Sequence, residues 1–279
     1  MTRASSHLTD ARPRLHYLQW NPSGPTSVVL LHGNSANAWW WEPVAREMPR
    51  QFRLLALDQR GHGDSEWVRP AAYTPADYAH DLVGFLRQVV RADDRPILVG
   101  HSMGGLSTLA FAAHHGTLGR ATVVIDAAIT SSRGRDRFLR RLKSLPLVTY
   151  PDLDTAKARF RLMPNEGHIP AATLQRIAEK SLVATEDGRW TMKFDRESFF
   201  GGDGINPMEA IKKIRIPTLL LRAELSRIMT AEAAAAACVA NPRVRLVTIP
   251  AAHHHLLLEK PAAVAKAIRE FVASLPQSG

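Results

Sequence analysis

The chain of 279 residues is 45% hydrophobic and 22% charged, which excludes disorder as its dominant state and leaves room for one large globular domain or two small ones. Its net charge of +10 admits nucleic acid, an anionic surface or an acidic substrate as partner, but the excess is mostly scattered and no nucleic-acid motif accompanies it. The single cysteine, Cys238, excludes an internal disulfide and any site built on cysteine pairs, and no apolar run approaches the roughly 18 residues that span a bilayer.

Along the chain, the first fifteen residues hold no apolar stretch, so no secretory leader is read and a cytoplasmic location is expected. Leu15–Trp20 reads as part of a hairpin. Continuous apolar runs at Val28–Leu31, Leu54–Leu57, Ile97–Val99, Thr122–Ile125, Thr218–Leu221 and Val244–Ile249 read as buried parallel strands. Between them lie helical patterns. Thr74-Pro75-Ala76-Asp77 predicts an N-cap, a proline at the first helical position and an acid that closes the capping box, with the helix running to about Val90. A second helix starts just after Ser102 and runs to about His115. Thr230 predicts the cap of an alanine-rich helix with Glu232 in its first turn. The last helix follows Lys260-Pro261, with Val264, Ile268, Phe271, Val272 and Leu275 on one face.

This alternation predicts an α/β fold, a mostly parallel sheet with helices on both faces. The rhythm breaks between Ala127 and Ile214, where turn signals stand at Gly167, Gly188 and Gly201-Gly202-Asp203-Gly204. The expectation is a helical lid of residues 127–214, inserted between core segments 1–126 and 215–279. It would lie over the carboxyl ends of the strands, where open α/β sheets bind ligands.

Gly100-His101-Ser102-Met103-Gly104 joins an apolar strand to a helix. A chain that reverses this sharply holds its serine in a strained conformation with Oγ outward, and the flanking glycines remove side chains that would clash. The serine then sits at a helix N-terminus, where the Met103 backbone N–H faces a developing oxyanion. Val28–Asn34 is a strand ending in His32-Gly33, and Asn34 there can offer a second N–H. Asp58-Gln59-Arg60-Gly61-His62-Gly63-Asp64-Ser65 follows the next strand. Ile249-Pro250-Ala251-Ala252-His253-His254-His255 follows the last one, with Glu259-Lys260-Pro261 beyond.

With these motifs in this order, nearly the whole chain resembles the α/β-hydrolase superfamily, in its lid-bearing serine-hydrolase branch. The resemblance implies an eight-stranded sheet with the lid after the sixth strand. It implies Ser102 as nucleophile and, as general base, the histidine five residues before Glu259, which is His254. The family's usual acid follows the penultimate strand in a pattern like L-R-G-x-D-S. Here Leu221-Arg222-Ala223-Glu224-Leu225-Ser226 puts Leu225 at that position, and a leucine cannot orient an imidazole. Two carboxylates could replace it: Asp126 at the end of the strand after the nucleophile strand, which is preferred, or Glu224. Some subgroups take their acid from that earlier strand, among them the haloalkane dehalogenases and the 2-(acetamidomethylene)succinate hydrolases.

Trp40, within Trp39-Trp40-Trp41, is a candidate for the substrate pocket. Arg133–Lys143 packs six basic residues and one acid, and its Arg133 and Arg135 are candidates for gripping a substrate carboxylate or phosphate. No cofactor motif is present, and three adjacent histidines in a loop point in different directions, so no metal is expected at His253-His254-His255. The leading reading is a serine hydrolase that cleaves a small ester, thioester or amide through an acyl-enzyme on Ser102, with an acidic substrate as the option the basic run suggests. A carbon–carbon bond hydrolase or a cofactor-free perhydrolase of the haloperoxidase type would use the same motif. A ligand receptor that keeps the fold without turnover is the reading from outside enzymology, and Leu225 is its support.

Overall fold

The computed structural model describes residues 2–199 and 205–276, and the turn expected at Gly201–Gly204 lies outside them. The hairpin opens the chain: β1 (Ser5–Leu8) pairs antiparallel with β2 (His16–Trp20), which pairs antiparallel with β4 (Phe52–Leu57). β3 (Thr26–Leu31), β5 (Ile97–His101) and β6 (Ala121–Ile125) then add in parallel, and β7 (Leu182–Ala184) and β8 (Trp190–Met192) form a separate small ribbon. β9 (Thr218–Ala223) and β10 (Val244–Ile249) complete the main sheet. The eight strands run in the order β1-β2-β4-β3-β5-β6-β9-β10.

Alternate residues of the central strands feed two buried layers, which is why those strands read as unbroken apolar runs. Val28, Leu30, Leu54, Val99 and Leu221 pack with Val44 and Ala45 of α1 (Glu42–Glu47) and with residues of the last helix, including Ile268 and Phe271. Val29, Leu31, Leu55 and Leu98 face the other way, onto Leu82 and Phe85 of α2 (Pro75–Val89) and Phe111 of α3 (Met103–His115). Thr74 and Asp77 close the expected capping box on α2.

Between β6 and β9 the chain leaves the sheet. α4 (Arg133–Ser144) buries no side chain. α5 (Leu153–Arg159) and α6 (Ala171–Lys180) are tied down by Ala156, Ile177 and Ala178, with Phe160 and Leu162 joining the α1 layer. α7 (Pro207–Lys213) falls within the stretch read as insertion. Its Ala210 and Ile211 instead pack with Leu109 of α3 and with Ala234 and Ala237 of α8 (Ala231–Ala240), so it belongs to the sheet-flanking layer. A single turn, α9 (Leu256–Glu259), leads into α10 (Pro261–Ala273). No helix among the described residues is long and apolar enough to cross a membrane.

Candidate active site

Ser102 stands between β5 and α3 at φ 53° and ψ −114°, a conformation that side chains rarely adopt. The turn is held from both sides, by Ser102 N–H donating to Ile125 O at 2.9 Å and Gly104 N–H donating to His32 O at 3.1 Å. A Cβ on Gly100 would lie 2.1 Å from the Gly104 carbonyl oxygen, and one on Gly104 would lie 2.4 Å from that of Leu31. Both contacts are to backbone that cannot yield, so the motif's glycines are steric requirements of the turn.

His254, in the loop after β10, reaches Ser102. Its Nε2 lies 3.1 Å from Ser102 Oγ and its Nδ1 2.7 Å from Asp126 Oδ2. A carboxylate at Nδ1 places the ring proton there and leaves Nε2 as the acceptor for the serine proton. Asp126 is fully buried one residue beyond β6, at φ 42°. It also accepts from Ser226 Oγ at 2.5 Å and from Ala223 N–H at 3.2 Å. Burial pushes the Asp126 carboxyl up to about 6, against the pull of those two donors, and pushes His254 down to about 4. At neutral pH the pair is therefore carboxylate and neutral imidazole, the state in which His254 takes a proton.

The other candidate acid is elsewhere. Glu224 is exposed, and its Oε2 accepts from the backbone N–H of Ala251 at 2.8 Å, buttressing the histidine loop from outside. Leu225 is 49% exposed and takes no part in the cluster. The serine of the same motif does take part, because Ser226 Oγ donates to Asp126, the preferred candidate acid. Sequence reasoning used Ser226 only as a landmark.

A pocket of about 310 Å³ opens above Ser102 and is lined by Asn34, Trp40, Met103, Arg135, Phe138 and Leu139 among others. Met103 opens α3, so its N–H has no acceptor within the helix. Trp40 is buried and turns its Nε1–H toward Ser181 Oγ at 3.4 Å. Arg133 is a correction: it is exposed at the start of α4 and does not line the pocket, because the helix turns it away. Arg135 does line it, but its guanidinium donates to Thr130 O at 2.9 Å and faces Asp136 at 3.7 Å. Among the described residues, Asp136 is the carboxylate of the lining and Arg135 its guanidinium; beside them stand His101, His254 and His255, and the rest is largely apolar.

The three loop histidines separate. His253 turns to Glu259, which accepts from its backbone N–H at 2.8 Å and lies 3.2 Å from its Nδ1. His255 packs edge-on against His254 and Trp40. His101, which drew no role from the sequence, packs against His254 with ring centres 4.7 Å apart and planes tilted by 38°. The Asp58–Ser65 motif is scaffolding. Asp58 accepts from Ala38 N–H at 2.6 Å, Asp64 N–H at 2.9 Å and His16 Nδ1–H at 2.6 Å, while Gln59 donates to His32 O at 2.8 Å. These bonds fix the loop that carries Gly33 and Asn34 beside Ser102.

The alpha/beta hydrolase family pattern matches residues 28–267. The chain belongs to the alpha/beta hydrolase family. The 2-(acetamidomethylene)succinate hydrolase of Mesorhizobium japonicum is 27% identical over 276 residues, covering 96% of this chain and 97% of that protein. A crystal structure of E-2-(acetamidomethylene)succinate hydrolase superposes with a TM-score of 0.84 at 27% identity, covering 98% of this chain and 100% of the other. Esterase Rv0045c of Mycobacterium tuberculosis is 24% identical over 76% of this chain and 70% of its own length. This alpha/beta hydrolase is an enzyme, with relatives named as hydrolases and esterases, and the receptor reading is set aside.

Proposed function

We propose that the protein is a serine hydrolase of carboxylic esters or thioesters whose acyl group is small, uncharged and apolar. The observation that carries this reading is the chain of hydrogen bonds from Ser102 through His254 to Asp126, opening into an apolar pocket. Ser102 Oγ attacks the substrate carbonyl carbon as its proton passes to His254 Nε2. Asp126 holds the Nδ1–H tautomer and steadies the imidazolium. The backbone N–H groups of Asn34 and Met103 receive the oxyanion. Collapse of the tetrahedral intermediate expels the alcohol or thiol, protonated by His254. A water, deprotonated by the same imidazole, then attacks the acyl-enzyme and releases the acid with Ser102 restored.

The apolar choice follows from the pocket wall. A substrate named as a succinate carries two carboxylates, as in the relative from Mesorhizobium japonicum. Among the described residues this lining offers one guanidinium, Arg135, which already faces Asp136, and its histidines His101, His254 and His255 are buried. A buried carboxylate without a free partner is costly, so the basic character of α4 is a surface property and not a grip on substrate. The inserted segment acts as the lid, with Phe138 and Leu139 of α4 over the pocket, while α7 stays with the core. The unpaired Cys238 suits a reducing compartment, and we place the enzyme in the cytoplasm.

Hydrolysis of p-nitrophenyl esters tests the reading. Butyrate to octanoate esters are expected to turn over with kcat/KM at least about tenfold above a hemisuccinate ester of matched length, the value of roughly 1.4 kcal/mol of differential binding. Preference for the hemisuccinate would overturn the substrate class. No turnover of any ester would overturn the reaction class.

A further inference from the structure

We propose that His101, His254 and His255 form a binding site for a borderline-soft divalent cation of the Zn2+ type, which switches the enzyme off by occupying the nitrogen that Ser102 needs. One ring nitrogen from each of the three lies within 4.8 Å of the others, and all three rings are buried on the wall of the same pocket.

The tautomers make this a ligand set. His101 Nε2 lies 2.8 Å from the carbonyl oxygen of His254, and His255 Nε2 lies 3.0 Å from that of Pro164. A carbonyl only accepts, so each Nε2 carries the hydrogen and each Nδ1 is left as a lone pair. Neither Nδ1 finds a donor among the described residues, although His101 is only 1% exposed and His255 only 3%. The two orphaned lone pairs thus belong to rings that pack directly on the His254 ring, with centres 4.7 Å and 5.0 Å away. The outer N–H of every ring is engaged by an acceptor: Asp126 for His254, and the two backbone carbonyls for its neighbours. That arrangement, a carboxylate or carbonyl behind each imidazole, fixes the ring and raises its basicity toward a metal. His253 is not a member, because it is bonded to Glu259.

Neutral nitrogen donors select Zn2+, Cu2+ or Ni2+ over Mg2+ and Ca2+, which demand oxygen. Three histidines leave a fourth tetrahedral position, which the pocket supplies to water or to a substrate atom. With the ion in place, His254 Nε2 no longer accepts the Ser102 proton.

Binding is measured on Ser102→Ala protein with a chromophoric chelator as competitor, so the result does not depend on turnover and leaves the hydrolase reading untouched. One Zn2+ per chain is expected, with Mg2+ unable to displace it. His255→Asn and His101→Asn are each expected to weaken binding by at least about tenfold. Where a variant does not fold, the zinc anomalous difference map of soaked wild-type crystals decides. A peak between the three rings supports the site. A peak only at surface histidines such as His114 and His115, or affinity unchanged in folded variants, overturns it. In active wild-type enzyme, Zn2+ should abolish turnover reversibly, and chelation should restore it.

Discussion

Ser102 and Asp126 each sit one residue beyond a parallel strand and His254 hangs from the loop after another, whereas α4, above them, buries no side chain at all. The sheet edge is over-determined: Asp126 alone accepts from His254, Ser226 and Ala223, and backbone hydrogen bonds pin Ser102 and Gly104 from two directions. The insertion is anchored below α4, by buried side chains such as Ala156, Phe160, Leu162, Ile177 and Ala178 and by bonds such as Tyr73 Oη–H to Asp195 and Gly63 N–H to Lys193 O, while Phe138, Leu139 and Met163 line the pocket. The difference separates two jobs. Chemistry needs atoms fixed to a fraction of an ångström, so it hangs from the sheet. Under the proposed function, selection of the acyl group is assigned to the insertion, which supplies part of the pocket wall.

Substitutions at the edge should therefore change the rate, and those in the insertion should change the preference. The largest effect belongs to Ser102→Ala, expected to lower kcat by about 10⁶ with little change in melting temperature. Asp126→Asn comes next, with a loss of about 10⁴ through the wrong tautomer of His254. Glu224→Gln should stay within about twofold, since an exposed carboxylate that accepts one backbone N–H contributes little. Steady-state kinetics on the pair checks the choice of acid, and a reversed ranking breaks it.

The pH profile sharpens the same contrast. Burial lowers His254 to about 4 and raises Asp126 to about 6. The active form, carboxylate and neutral imidazole, is complete above both values and is lost as a proton enters the pair. The acid limb of kcat/KM is thus expected at or below about pH 6, under the 6.5 of a solvated imidazole. A limb at 7 or above would mean a histidine with a more exposed or more strongly anionic setting.

The smallest effect tests the insertion. Phe138 lines the pocket yet is 50% exposed, so Phe138→Asp should raise KM for apolar esters about tenfold, the value of half a buried phenyl. It should leave kcat and folding nearly unchanged, because α4 carries no part of the core. A large loss of kcat would show that the insertion takes part in the chemistry and would collapse the distinction between the two regions.

Much of the sheet edge was readable in the sequence because its rules are local. A strand that must turn at once into a helix leaves a glycine signature around Ser102, and Asp126 directly follows an apolar run. Between Asp126 and Glu224 local pattern could not decide. The choice rests on how far β6 and β9 carry their carboxylates from the histidine loop, which is a property of pairing between strands remote in sequence. The insertion was less readable for a related reason. Arg133 and Arg135 are two positions apart on one helix, and only the docking of α4 decides which of them meets the pocket. The packing of α7 with the sheet-flanking layer was not legible because α7 resembles the helices before it, and its burial against α3 and α8 is a tertiary fact. His101 was legible as a letter of the motif but not as a neighbour of His254, since the two meet only when β5 and the final loop are brought together.

The central claim is that His254, oriented by Asp126, activates Ser102. Intact mass of the protein after treatment with a fluorophosphonate tests it most directly, with Ser102→Ala and Asp126→Asn alongside. The account predicts a single adduct on the wild type, none on Ser102→Ala, and labelling of Asp126→Asn slowed by orders of magnitude. An adduct that persists in Ser102→Ala, or one that forms at the wild-type rate in Asp126→Asn, would contradict it.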